Sequence, residues 1–278
     1  MTTVTGGGAA ATYQAIEVER KDRIAILRFN RPSKLNSMSE QLKKETVQAL
    51  QELADDDAIR AVVLTGNGRA FSAGYDLEGE TPTEVRELRK AVMSSDIFAH
   101  AVWSFPKPLI AAVHGFCLAG ACEIAMVCDM TVATESCKFG EPEIRFGVSS
   151  TLIMPWVLPM KITKELLMGG SMITAQRAYE VGLVNRVVPD DELMPAAEKL
   201  AGLMATMAPA AVQYTKRGIN ATYELAGMQQ AIAHHTELLT QMMLADSEEK
   251  DTFLQLAATQ GVRAALNWRD GQFKEYDD

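Results

Sequence analysis

The sequence predicts an α/β protein: a mixed core followed by an all-helical end. Three observations carry this. Short apolar runs of strand type alternate with helical periodicity as far as about residue 200, and beyond that point only helical patterns remain. Between Pro106 and Gly147 an apolar run, a glycine-bearing turn and a helix start follow directly on one another. Strands alternating with helices in this order indicate a largely parallel sheet with helices packed on it.

Taken in order, residues 1–12 are rich in Gly, Thr and Ala and read as a disordered tail. Residues 16–19 and 24–29 read as strands joined by the polar turn Lys21-Asp22-Arg23, a β-hairpin. Asn30-Arg31-Pro32 breaks the second strand, and Ser37-Met38-Ser39-Glu40 has the spacing of a capping box. The helix it opens places Leu42, Ala49, Leu50 and Leu53 on one face. Residues 59–65 form a buried strand of parallel type, followed at once by a loop with glycines at 66, 68 and 74. Such a loop aims backbone amides at a ligand. A dinucleotide cradle is the alternative, but the G-x-G-x-x-G spacing is absent. Residues 81–104 read as a helix bearing Val85, Leu88, Val92, Ile97 and Ala101.

The central stretch follows, with a strand at 109–113, a turn at 115–120, a helix from about Ala119 and a strand at 130–134. A glycine turn that opens a helix presents free backbone N–H groups to developing negative charge. Glu123 lies one turn into that helix, whose Ile124, Ala125, Met126 and Val127 make it apolar nearly all round and therefore buried. Glu143 follows in Glu141-Pro142-Glu143. Taken singly, Glu123 reads as a charge on the helix dipole and Glu143 as a surface-loop acid. Taken together they can face each other across a pocket, and a buried acid needs a reason.

Residues 148–159 are apolar and read as core or as the wall of an acyl pocket. Helices at 161–168 and 174–181, the second capped by Thr174, precede a strand at 183–188. The rest is helical: 193–207, 210–220, 228–244 and 248–266. This gives a tail at 1–12, a core with the active site at 13–200 and a helical region at 201–278 that packs on another subunit in preference to its own core.

Composition narrows the function. With 278 residues, 47% hydrophobic and 23% charged, the chain can bury a large core. A net charge of -9 disfavours nucleic acid and anionic membranes as partners. No apolar stretch is of membrane-span length and no signal-type segment is present, so a cytoplasmic protein is expected. The four cysteines, 117, 122, 128 and 137, fit no common metal spacing and read as reduced core residues. The histidines assemble no triad, and no metal site is expected.

The motifs resemble the crotonase superfamily, the enoyl-CoA hydratase/isomerase group. They are Asn30-Arg31-Pro32 with Asn36, residues 70–77 (AFSAGYDL), the HGFCLAGACEIAMVCD run, FGEPEIRFG, and AYEVGLVNRVVP at 178–189. The resemblance spans nearly everything from Ile16 to the end.

That resemblance implies a spiral of repeated ββα units with a C-terminal helical trimerisation region, assembled as a homotrimer or a dimer of trimers. It implies an oxyanion hole made by the N–H groups of Tyr75 and Gly120, and a pair of acids, Glu123 and Glu143, that hold a water between them. The substrate is an acyl-CoA thioester, and no metal or redox cofactor is needed because coenzyme A is part of the substrate. Arg31, Lys34, Ser72, Ala73, Asp76 and Leu77 lie in the loops that surround CoA, Arg69 lies beside them, and Arg269 or Lys274 would reach a neighbouring subunit's site. The implied reaction adds water to a trans-2-enoyl-CoA to give a 3-hydroxyacyl-CoA. An enoyl-CoA isomerase or another acyl-CoA lyase is the alternative, and a single acid suffices for isomerisation. The sequence departs from the pattern at Glu78, where many relatives are basic, and at 148–152 (VSSTL), where they are richer in glycine.

Overall fold

The computed structural model describes residues 13–77, 84–149 and 153–276. The expected tail, the departure at Glu78 and residues 150–152 of the second departure lie outside the described residues. The hairpin forms as expected: β1 (Ile16–Lys21) pairs antiparallel with β2 (Ile24–Phe29). Parallel to β2 run β3 (Ala61–Gly66), β4 (Leu109–Val113), β6 (Met130–Thr134) and β9 (Arg186–Val188), in the order β1-β2-β3-β4-β6-β9. A smaller sheet, β5-β7-β8, is built from β5 (Phe116–Leu118), β7 (Lys138–Gly140) and β8 (Ile173–Thr174). β4 runs into β5 and β6 into β7, so these two turns of chain each give one strand to each sheet, the ββα repeat of the spiral.

Strand alternation sorts the side chains onto two faces. Ala25, Leu27, Phe29, Val62, Leu64, Leu109, Ala111 and Val113 point to the main core, which is closed by α1 (Glu40–Asp55), α2 (Val85–Trp103) and α3 (Gly120–Val127). Ile24, Ile26, Ala61, Val63, Ile110, Ala112 and Val132 face the other way, onto α7 (Leu193–Thr206). Between β7 and α7 the chain forms three short helices, α4 (Met154–Val157), α5 (Met160–Gly169) and α6 (Ala175–Glu180). Among the described residues no helix is long and apolar enough to cross a membrane.

Several local expectations are revised. The cap of α1 is Ser39, whose side chain accepts from the Leu42 N–H, because the Met38 N–H is drawn into a bond with the Gly74 carbonyl and holds the chain extended one residue longer. Thr174 caps α6 as expected, accepting from the Arg177 N–H. The last helical stretch is two helices, α10 (Glu248–Gln260) and α11 (Val262–Gly271), broken at Gly261, whose φ of 89 stops the α-helix. α10 and α11 pack in cis on the 142–146 turn, and α9 (Met228–Leu244) packs on α2. Part of the C-terminal region thus packs on this chain's own core, while Leu238, Leu244 and Leu254 of the same helices stay exposed. α8 (Pro209–Leu225) has no fully buried residue.

Lys107 shows how the frame is tied. It is 5% exposed, its Nζ donates to the Leu53 and Asp56 carbonyls at the end of α1, and burial lowers its pKa. Lys107→Ala leaves those carbonyls without their cation and should lower the unfolding free energy by about 1–3 kcal/mol in urea.

Candidate functional site

Three segments meet beside α3. Residues 35–38 pair with the 72–76 loop through the Ala73 N–H to the Leu35 carbonyl, the Met38 N–H to the Gly74 carbonyl and a bridge between Met38 and Tyr75. The same loop pairs with β5 on its other side, through the Ser72 N–H to the Phe116 carbonyl and the Leu118 N–H to the Ser72 carbonyl. Asn36, fully buried, donates to the Asn67 and Ala70 carbonyls and accepts from the Arg31 N–H. The buried Ser72 hydroxyl donates to the Asn36 carbonyl and accepts from the Gly74 N–H. These bonds leave the loop little freedom.

The two glycine turns predicted from the sequence are pressed together here. A Cβ on Gly74, whose φ is 97, would fall 2.6 Å from the Ala119 Cβ and 3.5 Å from the Gly120 nitrogen. A Cβ on Gly120 would fall 2.2 Å from Cε2 of Tyr75. Only hydrogen fits at either position. Ala119, with φ 56 and ψ -138, holds a backbone combination that L residues rarely adopt, and its N–H is committed to the Gly140 carbonyl. Among the described residues no turn, loop or cap hydrogen bond engages the Tyr75 or Gly120 N–H. Two such amides on abutting turns are suited to one shared anionic oxygen.

Carboxylates come from α3 and from the turn after β7, two segments joined by the Ala119 N–H to Gly140 carbonyl bond. Glu123 is 2% exposed in the first turn of α3, and Glu143 is half-buried at the start of the 142–146 turn that follows β7. A third acid, to which the sequence analysis assigned no role, is Glu141, which is 1% exposed. Its charge acts on the Tyr75 hydroxyl and on the Cys117 thiol. The only sequence signal for its burial is its place directly after the buried Phe139-Gly140 of β7. All four cysteines are free and buried, and desolvation raises the thiols of Cys117, Cys128 and Cys137.

The residues expected around CoA divide into two groups. Ser72, Ala73, Asp76 and Arg31 are gathered at the loop junction, but the Arg31 guanidinium is occupied there, donating to Asp76 at 2.6 Å and to the Ser37 carbonyl and hydroxyl. Its cation ties the two loops together. Lys34 stands exposed at the end of a single 3-10 turn, and Leu77 and Arg69 are also exposed. Arg269 is not a free arm toward a neighbour, being 8% exposed with its guanidinium 5.9 Å over Phe146 of the same chain. Phe146 in turn stacks on Phe253 at 4.3 Å, so α10 and α11 brace the turn that carries Glu143. Phe253→Ala should cost about 3 kcal/mol, read as a lowered Tm, and should also reduce activity by loosening that turn.

Comparison with known proteins agrees with this geometry. The enoyl-CoA hydratase/isomerase family model matches residues 19–274. The chain is 37% identical over 222 residues to a probable enoyl-CoA hydratase of Mycobacterium bovis, covering 77% of this chain and 84% of that one. It is 32% identical over 271 residues to the crotonyl-CoA hydratase of Syntrophomonas wolfei, covering 94% and 98%. It superposes on the crystal structure of an enoyl-CoA hydratase/isomerase from Xanthobacter autotrophicus Py2 with a TM-score of 0.90 at 38% identity, covering 94% and 99%. With both glycine turns, all three acids and the C-terminal helices inside the matched span, the chain belongs to the enoyl-CoA hydratase/isomerase family.

Proposed function

We propose that this chain is an enoyl-CoA hydratase that adds water across the double bond of a trans-2-enoyl-CoA to give a 3-hydroxyacyl-CoA. The observation that carries the reading is the abutting of the Gly74 and Ala119-Gly120 turns, where among the described residues no turn, loop or cap bond takes the Tyr75 or Gly120 N–H, with the buried Glu123 in the first turn of the helix that Gly120 opens. The Tyr75 and Gly120 N–H groups take the thioester oxygen. As water bonds to Cβ, the electrons of the double bond move toward that oxygen, and fixed amides stabilise the resulting enolate more than the ground state. One such donor contributes about 3 kcal/mol.

Glu123 takes the proton of the attacking water while Glu143 delivers a proton to Cα, and exchange with solvent restores both acids. Two carboxyl groups sharing one water titrate as a pair. The reaction is redox-neutral and its charge is met by backbone amides, so the substrate's own CoA is the only coenzyme required. Isomerisation, the other reading, moves one proton between carbons and needs one acid, whereas this chain carries both Glu123 and Glu143. Mixing the protein with crotonyl-CoA and following the ultraviolet absorbance of the conjugated thioester tests the proposal. Loss of absorbance with formation of 3-hydroxybutyryl-CoA supports it, and a shifted double bond with no hydroxyl product would replace it by isomerisation.

Self-association belongs to the same reading. α8 has no fully buried residue and touches its own chain through Lys216, Asn220 and Tyr223, while Tyr214 is 72% and Leu225 89% exposed on it, a face suited to further copies of the chain in a homotrimer or a dimer of trimers. Light scattering should give three or six protomers, and Tyr214→Glu with Leu225→Glu should shift the mass toward the monomer.

A further inference from the structure

The hydratase reading uses only the N–H of Tyr75, yet its side chain lies inside the site. The ring rests against Gly120, with Cε2, Cδ2 and Cζ at 2.2, 2.6 and 2.6 Å from where a Gly120 Cβ would be. Glu123 follows Gly120 by three residues on α3, on the side of the helix that the ring meets. The charge of Glu123 acts on the Tyr75 hydroxyl most strongly, followed by those of Asp96 and Glu141. The hydroxyl oxygen is buried, and among the described residues nothing meets it at hydrogen-bond distance and angle, although the Ser95 hydroxyl lies near. Ser95 can only serve the phenol oxygen as a donor here, and a buried phenol proton without an acceptor is costly, so a polar acceptor belongs opposite it when the site is filled. Desolvation, then Glu123, raise its pKa well above the usual phenol value, which makes it a donor.

We propose that Tyr75 is a positioning residue, whose hydroxyl donates into the Glu123–water pair and holds that carboxylate turned toward Cβ while the N–H of the same residue serves the thioester oxygen. One residue then links the two halves of the site. The phenol keeps its proton throughout, so the proton balance of hydration is unchanged. The charged groups around it are Glu123 from α3, Asp96 from α2 with His235 of α9 behind it, Glu141 from the turn after β7, and Lys43 of α1, whose Nζ stands 5.5 Å over the ring. Lys43 is itself held by Ser94 and Glu40, which leaves the hydroxyl to the acids.

The inference rests on the hydratase reading, and Tyr75→Phe separates the two. That substitution removes one oxygen and keeps both the ring against Gly120 and the backbone N–H. With crotonyl-CoA, kcat should fall about 10- to 100-fold, as loss of a hydrogen bond to a charged group implies, with KM changed less than about 3-fold. The acid limb of kcat/KM should move to higher pH, because a carboxylate that loses a donor is protonated more readily. Unchanged kcat with an unchanged acid limb would overturn the proposal and leave Tyr75 as packing. Infrared titration of the Glu123 carboxyl band, assigned with Glu123→Gln, decides the matter independently of turnover. A higher midpoint in Tyr75→Phe supports positioning and an equal one overturns it, whereas a wild type that hydrates no enoyl-CoA defeats only the hydratase reading.

Discussion

Glu123→Gln and Glu143→Gln should each lower kcat for hydration of a short trans-2-enoyl-CoA by about 10²- to 10⁴-fold, the range for loss of a positioned acid or base. Each substitution keeps the shape of its side chain, and the amide can still hydrogen-bond, so folding and thioester binding should persist. The double variant should be little worse than the poorer single variant, because groups that handle one water act as a unit and their effects do not add. Calorimetric binding of a CoA ester alongside the rate assay separates chemistry from binding. A Glu123→Gln enzyme that still shifts double bonds at the wild-type rate would assign the chain to the one-acid reaction.

Gly120→Ala should be nearly as damaging through a different cause. The added methyl would fall 2.2 Å from the Tyr75 ring, a separation no side-chain carbon tolerates, and the backbone that carries the ring is tied on both sides by Leu35, Met38 and β5. Either Tyr75 or the start of α3 must shift, and both carry an amide of the oxyanion site. A loss in kcat of about 10²- to 10³-fold is expected, the scale seen when one oxyanion donor is removed. Gly202→Ala on α7 is the control: nothing lies within 4 Å of its added carbon, and it should leave kcat unchanged while stabilising the helix by about 0.5–1 kcal/mol. Equal loss in both variants would show a folding defect and remove the oxyanion argument.

Much of this architecture is legible in the chain. The parallel strands reveal themselves as continuous runs of Val, Ile, Leu and Ala because both faces of the sheet are covered, one by α1 to α3 and the other by α7. The strand, glycine turn and helix at 109–127 are local features, and Glu123 is legible as buried because its neighbours are apolar on every side. The break at Gly261 was hidden because apolar residues on both sides keep a helical spacing, and one glycine within such a pattern does not announce a positive φ. The capping serine was misplaced because its position depends on the bond from the Met38 N–H to Gly74, two residues far apart in sequence.

The contents of the site divide along the same line. The sequence by itself determined which turns expose amides and which helix buries an acid, since backbone conformation and periodicity follow from neighbouring residues. Tertiary structure alone decided that Arg31 is consumed by Asp76, that Arg269 covers its own chain's Phe146, that Glu141 is buried, and that the Tyr75 ring rests against Gly120. Each of these depends on which segment packs against the residue from a distant part of the chain, and a side chain's partner and solvation follow from that packing, while its identity follows from the sequence.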